Sequence, residues 1–326
     1  MTALGLTEAL AAEHAAASQG AALIDLADRG VLEATGPQRQ KFLQGMLSND
    51  VLNRPPGQGC LAALLTVKGH VQVLLRVLVE KDAVLLEMPA DRLDLVERTL
   101  NHYKVAAPVR FKKLPTAILG LIGPQAAIVL GRAGAVVPDL PPEGHVRAEI
   151  GGRKALLARG SDLPGGGFVL HLSPEDAPAV RDALLAAGAV PIGREVTDAL
   201  RVEALRPWYG ADVTEDNLLH ETGLVTEYAS FSKGCYIGQE VVARLDARGG
   251  HVNRALRGLT LSAPVAAGTA LTVEGKEVGR VTTAAVSPRR GPIALAYVHR
   301  SALAAGAVLS AGAASATVVS AFSEAP

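Results

Sequence analysis

Lys233-Gly234-Cys235-Tyr236-Ile237-Gly238-Gln239-Glu240 is the stretch on which the reading of this 326-residue chain turns. It holds one of only two cysteines and sets the thiol two residues from a lysine, between two glycines. Ile237, Val241, Val242 and Leu245 follow at helical spacing, so a helix is expected to begin near Gly238 with Cys235 just ahead of it. A thiol is a nucleophile only as thiolate, and positive charge or a helix N-terminus favours that form. Lys233 and the coming helix are both candidates for that work. The plainer reading is a small buried hydrophobe beside Tyr236 and Ile237. Gln239 offers a donor and an acceptor side by side. Glu240 falls in the first helical turn, where a carboxylate favours the dipole or serves as a polar contact in a cleft. Arg244, a turn below, reads equally as a surface ion-pair residue.

Working outward, the match to a known pattern continues. Val241-Val242-Ala243-Arg244 follows the octapeptide, then Arg248-Gly249-Gly250-His251-Val252-Asn253-Arg254-Ala255-Leu256-Arg257-Gly258-Leu259. Upstream lie Leu200-Arg201-Val202-Glu203-Ala204 and Tyr209-Gly210-Ala211-Asp212, and near the start Phe42-Leu43-Gln44-Gly45-Met46-Leu47-Ser48-Asn49-Asp50. The octapeptide resembles the signature of the YgfZ family, and the other blocks resemble the wider glycine-cleavage T-protein (aminomethyltransferase) superfamily. The resemblance implies an α+β fold of two interleaved α+β domains around a central folate cleft, followed by a small β-barrel. It implies a cytoplasmic, tetrahydrofolate-binding protein that supports iron–sulfur client enzymes, including those that modify tRNA, with Cys235 and Lys233 as working residues. It also places Arg201, Glu203, Asn49, Asp50, Gln239 and Glu240 near the folate.

Composition sets bounds. Apolar residues are 49% of the chain and aromatics 3%, so the core must be aliphatic. Lys+Arg and Asp+Glu are both 32. That balance argues against a general nucleic-acid or membrane-surface binder. Two cysteines, Cys60 and Cys235, make no disulfide framework, and no CxxC or Cys/His cluster suggests a zinc or iron–sulfur site. The N-terminus lacks a secretory pattern, and no uninterrupted apolar run reaches ~18 residues.

The first ~20 residues read as a helix ending before Gly20. Gly36-Pro37 opens a second, with Phe42, Leu43, Met46 and Leu47 on one face. Val71 to Val79 and Ala83 to Met88 read as a strand pair, and 91–103 as a helix. Ala117 to Ile122, Ala155 to Ala158 and Phe168 to Leu172 read as strands; Ser173 is expected to cap a helix that stops at Gly188. Leu200 to Glu203 reads as a half-buried strand, with Arg201 and Glu203 sharing a face either as a solvated pair or as folate contacts. After Gly250, short β-type runs punctuated by Gly, Pro and Ser suggest an all-β barrel. We therefore divide the chain at 1–250 and 251–326.

The chain also departs from the transferase pattern. Aligning Lys68-Gly69-His70-Val71-Gln72-Val73 to the T-protein turn puts Val73 where its catalytic aspartate is expected, and no carboxylate lies between Cys60 and Val79. The loop Asp162-Leu163-Pro164-Gly165-Gly166-Gly167 lacks the pterin-holding glutamate. Valine can neither orient a reacting amine nor stabilise charge. An aminomethyltransferase and a non-enzymatic folate-regulated adaptor remain the alternatives. A Cys–His hydrolase would need His220 or His251 within hydrogen-bond reach of Cys235.

Overall fold

In the computed structural model, residues 3–322 are described, with side chains from Glu8 onward. Helix α1 (Ala3–Gln19) leads into β1 (Ala22–Asp25), and the chain then leaves for a second sheet. That sheet is built from β2 (Arg29–Thr35), β3 (Gln58–Leu65), β4 (Val71–Val79), β5 (Ala83–Pro89) and β6 (Arg110–Leu114), in the order β3-β4-β5-β2-β6. Helices α2 (Arg39–Met46) and α3 (Leu93–Lys104) interrupt it. The chain then returns to the first sheet with β7 (Ala117–Ile122), α4 (Ala126–Arg132), β8 (His145–Ile150), β9 (Arg153–Arg159), β10 (Gly167–Leu172), α5 (Ala177–Ala186) and β11 (Val190–Pro191). Its order is β11-β1-β7-β10-β9-β8. Because β1 belongs to a sheet that the chain resumes only at β7, after the whole second sheet, the two α+β domains are interleaved, as expected.

Strand alternation makes the two sheets a sandwich. On β4, Val73, Leu75, Val77 and Val79 point to one face, where Leu43, Met46 and Leu47 of the α2 region, with Val96 and Leu100 of α3, cover them. The opposite face carries Leu74, Arg76 and Leu78; Leu78, Val31 and Leu85 meet Ile24, Ile118, Leu156 and Val169 of the other sheet in a shared seam. The first sheet's outer face, with Leu121, Leu157 and Leu170, is closed by α4 and α5 through Val129, Leu130, Val180 and Leu184.

Two sequence expectations change. Leu200 to Glu203 is not a strand: it ends helix α6 (Arg194–Glu203), whose Val196, Ala199, Leu200 and Val202 are buried. The apolar residues recur with a helical period over the longer window, and a four-residue alternation hid it. Ser173 precedes rather than caps α5. It accepts from Asp176 N at 3.2 Å in a turn, and the helix starts at Ala177. After α7 (Val225–Tyr228) and α8 (Gln239–Ala247), six strands close a barrel in the order β12-β15-β14-β13-β16-β17. They are β12 (Arg254–Leu261), β13 (Ala270–Val273), β14 (Lys276–Ser287), β15 (Gly291–His299), β16 (Val308–Ala311) and β17 (Ala314–Val319). The last two strands, β16 and β17, turn at Gly312, where φ is +61°. Residues 323–326 of the barrel assignment lie outside the described residues. The barrel docks on α6 through Val202 against Leu256, Ile293 and Leu295. No described helix is long and apolar enough to cross a membrane.

Candidate functional site

The octapeptide wraps the β3 end of the second sheet. Gly238 opens α8 with φ +81°, and a Cβ there would meet Thr66 O at 2.5 Å, so only glycine lets the helix sit this close to the β3–β4 turn. Gly234 has open space around it and no such requirement. Tyr236 is buried and Cys235 is exposed immediately before it. Gln239 turns back to accept from Tyr236 N at 3.3 Å, which fixes the helix entry. Glu240 and Arg244 are exposed.

Lys233 behaves differently from the expectation. Its ammonium donates to three carbonyls at the end of α2: Gln44 at 2.6 Å, Leu47 at 2.5 Å and Asn49 at 3.0 Å. The ring of Tyr236 lies 4.8 Å away. Its three N–H donors are therefore spent on the negative end of α2, not on the thiol. Burial pulls the ammonium down to about 8, with the Asp50 carboxylate and Cys60 opposing. The loop it grips is itself tied: Asn49 Nδ2 donates to Leu61 O at 2.8 Å and Glu227 O at 3.0 Å. Burial would raise Asp50, but hydrogen bonds from Asn53 and Gln44 outweigh it and hold the carboxyl below its usual value. Cys60 is buried, with its Sγ 3.6 Å from Asp50 O, and burial pushes its thiol up to about 12. His220 is buried with both ring nitrogens unpartnered among the described residues, and His251 is exposed; neither hydrogen-bonds Cys235.

Arg201 and Glu203 lie elsewhere. The Arg201 guanidinium is buried and donates to Asp198 (2.6 Å), Thr283 (2.7 Å) and Asp212. Glu203 accepts from Ser287 and pairs with His14 at 2.9 Å. Both residues bind α6 to the barrel or to α1. Among the described residues, Arg201 and Glu203 make no hydrogen bond or ion pair with the octapeptide; Arg201 stacks 5.2 Å over the Trp208 ring, while Asn49, Asp50, Lys233, Cys235, Gln239 and Glu240 gather at another corner.

The seam between the sheets holds what sequence reading missed. Arg76 is 1% exposed and donates to Glu87 Oε2 at 3.1 Å, Asp162 Oδ1 at 2.5 Å and Glu143. Arg29 donates to Glu87 Oε1 at 2.5 Å, and His171 Nε2 lies 2.8 Å from Glu87 Oε2. Burial opposes the charge on Glu87, yet Arg29 and Arg76 hold its carboxyl well below the usual range. Beside this cluster lie two small adjoining cavities of about 20 and 50 Å³, both lined by Arg29, Asp162, Trp208 and Tyr209. Leu74 and Tyr228 line the smaller. The Tyr209 hydroxyl is buried without a hydrogen-bond partner. This is an aromatic-walled space in which both cavities share Asp162, the larger adds Asp28 and Glu87, and one phenol is unpartnered. The signal in sequence was Asp162 itself, which sits at the start of the loop read as lacking a glutamate.

β4 also corrects the transferase alignment. A bulge at Gln72 (Leu64 pairs Val73, Leu65 pairs Val71) leaves Val73 facing α2. The cavity-facing residue is Leu74, and Arg76 follows it. Both Val73 and Leu74 are apolar, so the absence of a carboxylate on this part of β4 stands, for a different residue.

The GCVT N-terminal domain family matches residues 4–228, and the glycine cleavage T-protein C-terminal barrel domain matches residues 254–322. An aminomethyltransferase of Thermus thermophilus is 32% identical over 305 residues, covering 89% of this chain and 83% of that protein. A chloroplastic protein of Arabidopsis thaliana, named as a "putative transferase", is 29% identical over 300 residues, covering 90% of this chain and 68% of its own. The crystal structure of glycine cleavage system aminomethyltransferase T from Bartonella henselae superposes with a TM-score of 0.85 at 23% identity, over 95% of this chain and 88% of that one.

Proposed function

The chain belongs to the glycine-cleavage T-protein family, and from that premise we propose that it is a cytoplasmic protein that binds a reduced folate in the seam between its two sheets and supports iron–sulfur enzymes, as the YgfZ-like octapeptide suggests. The observation that carries the folate reading is the space beside Asp162 walled by Trp208 and Tyr209, with the Tyr209 hydroxyl buried and unpartnered. A reduced pterin is flat and presents N–H donors and a carbonyl. Asp162 would accept from its donors, Tyr209 would donate to it, and Trp208 would cover a face. The chemistry of the residues fits the group. The two cavities are far below the ~300–1,000 Å³ of small-molecule sites, so binding requires the Trp208–Tyr209 segment to swing outward.

Aminomethyl transfer is not part of this reading. On the face of β4 toward the site, Leu74 offers no general base and Arg76 is spent on Glu87, Glu143 and Asp162. Cys235 sits on the exterior corner, so its partner approaches from solvent rather than from the folate space. Calorimetry with tetrahydrofolate tests the binding, and a glycine-cleavage turnover assay tests the missing chemistry. Turnover is expected to be undetectable in the wild type; turnover at ordinary aminomethyltransferase rates overturns that part of the proposal.

A further inference from the structure

We propose that α7 couples the seam to the octapeptide, so that filling the folate space frees the loop that carries Cys235. The inference rests on the folate reading of the seam. Leu224 and Tyr228, at the two ends of α7, line the smaller seam cavity together with Trp208 and Tyr209. Leu224, Tyr228 and Ala229 also belong to one packed apolar cluster that runs from Leu74 of β4 to Tyr236 of the octapeptide, with Tyr209 and Val225 against it. A ligand that spreads one end of a close-packed cluster is felt at the other, because such packing barely compresses.

Polar ties run the same way. Tyr228 O accepts from Ser48 Oγ at 2.6 Å, and Glu227 O from Asn49 Nδ2 at 3.0 Å. Ser230 N donates to Ser48 O at 3.0 Å, and Ile237 N to Gly45 O at 3.2 Å. The carbonyls of Leu47 and Asn49 in that same loop hold Lys233. A shift of α7 therefore loads every bond that fixes the octapeptide to the end of α2. On the seam side α7 is latched: Arg206 Nη1 donates to both carboxylate oxygens of Glu227 at 2.7 Å. Arg206 stands two residues before Trp208, in the segment whose outward swing admits a pterin. Left-handed backbone brackets that segment, with φ +51° at Leu205 and +90° at Gly210. A leucine there is strained, and a rotation that leaves this region releases the strain. The swing either breaks the Arg206–Glu227 pair or draws α7 along with it.

Iodoacetamide labelling at neutral pH, resolved by mass spectrometry into Cys235 and Cys60, reads the loop. Calorimetry on the same protein reads the binding. Tetrahydrofolate should speed Cys235 at least about fivefold, the low end of ordinary coupling between sites, and saturate where the calorimetric binding does. Buried Cys60 should not speed up, which separates a loosened loop from a loosened protein. Glu227→Gln, a surface change outside the cavity lining, weakens the latch without ligand. It should raise the unliganded Cys235 rate about twofold or more, and expose the sole tryptophan, Trp208, to acrylamide quenching. Heat of binding with an unchanged or slowed Cys235 overturns the coupling and leaves the folate reading standing. So does an equal acceleration of Cys60, or a folded Glu227→Gln protein that matches the wild type in both rate and quenching. Absence of heat overturns the folate reading and the coupling with it.

Discussion

Lys233 was legible as important, and its role was not. Its place two residues from Cys235 suggested a charge for the thiol; three carbonyls of the α2 terminus take it instead. Linear proximity does not say which way a long side chain turns. Lys233→Met should leave those carbonyls unmet and cost about 1–3 kcal/mol. Hydrogen exchange should rise in both 44–50 and 230–238; if only the second segment loosens, the latch is not what holds them. Exposure separates the two thiols. Iodoacetamide at neutral pH should label Cys235 and spare Cys60 until the protein unfolds, as read by mass spectrometry. Cys60 also has a pH signature. Its thiol is raised from 9.0 to about 12, so the unfolded chain loses this proton first. The stability it contributes is complete below about pH 9 and falls away between 9 and 12. Lys233, depressed to about 8, acts with the opposite sign as pH rises from 8 toward 10.5. Comparing denaturation of wild type and Cys60→Ala from pH 8 to 11 isolates the first effect: the wild type should lose its advantage as pH rises, and a constant difference would contradict the assignment.

At the scale of elements, most strands and helices followed from period and punctuation. The alternation Val71 to Val79, the apolar stripe of α2 and the Gly-punctuated barrel strands each carry their own signal. The segment Leu200–Glu203 misled because four residues cannot distinguish a strand from the end of a helix. The consequence is physical: two residues apart on a helix are about 200° apart, so Arg201 reaches Asp212 and Thr283 while Glu203 reaches His14 of α1 and Ser287 at the end of β14. Arg201→Met should destabilise the protein by about 3–5 kcal/mol, because Asp212, though still accepting from Trp208 N, Thr282 and Thr283, is left buried without its counter-charge. Thermal unfolding in a calorimeter checks it; a change below about 1 kcal/mol would mean the pair is not what joins α6 to the barrel. Val73→Asp separates the two faces of β4. It buries a carboxylate against α2 and should cost several kcal/mol without producing transferase turnover, whereas a folded, active variant would show that Val73 faces the site after all.

At the scale of the whole molecule, the interleaving of the sheets was implied only by the family resemblance, and the closing barrel also by the Gly-, Pro- and Ser-punctuated β-type runs after Gly250. The charged centre was not. Arg29, Arg76, Glu87, Glu143, Asp162 and His171 come from distant parts of the chain, and nothing local marks them as partners. Only the face-to-face packing of two sheets assembles them, and the same packing sets Trp208 and Tyr209 over Asp162. The central claim is that this seam is the folate site and that Asp162 and Tyr209 serve it. The direct measurement is isothermal titration of tetrahydrofolate into wild type, Asp162→Asn and Tyr209→Phe, each first shown to be folded. Wild type should give saturable heat, and each variant should bind about tenfold more weakly, the loss of one well-placed hydrogen bond to a buried group. No heat with wild type, or undiminished affinity in both variants, would contradict it.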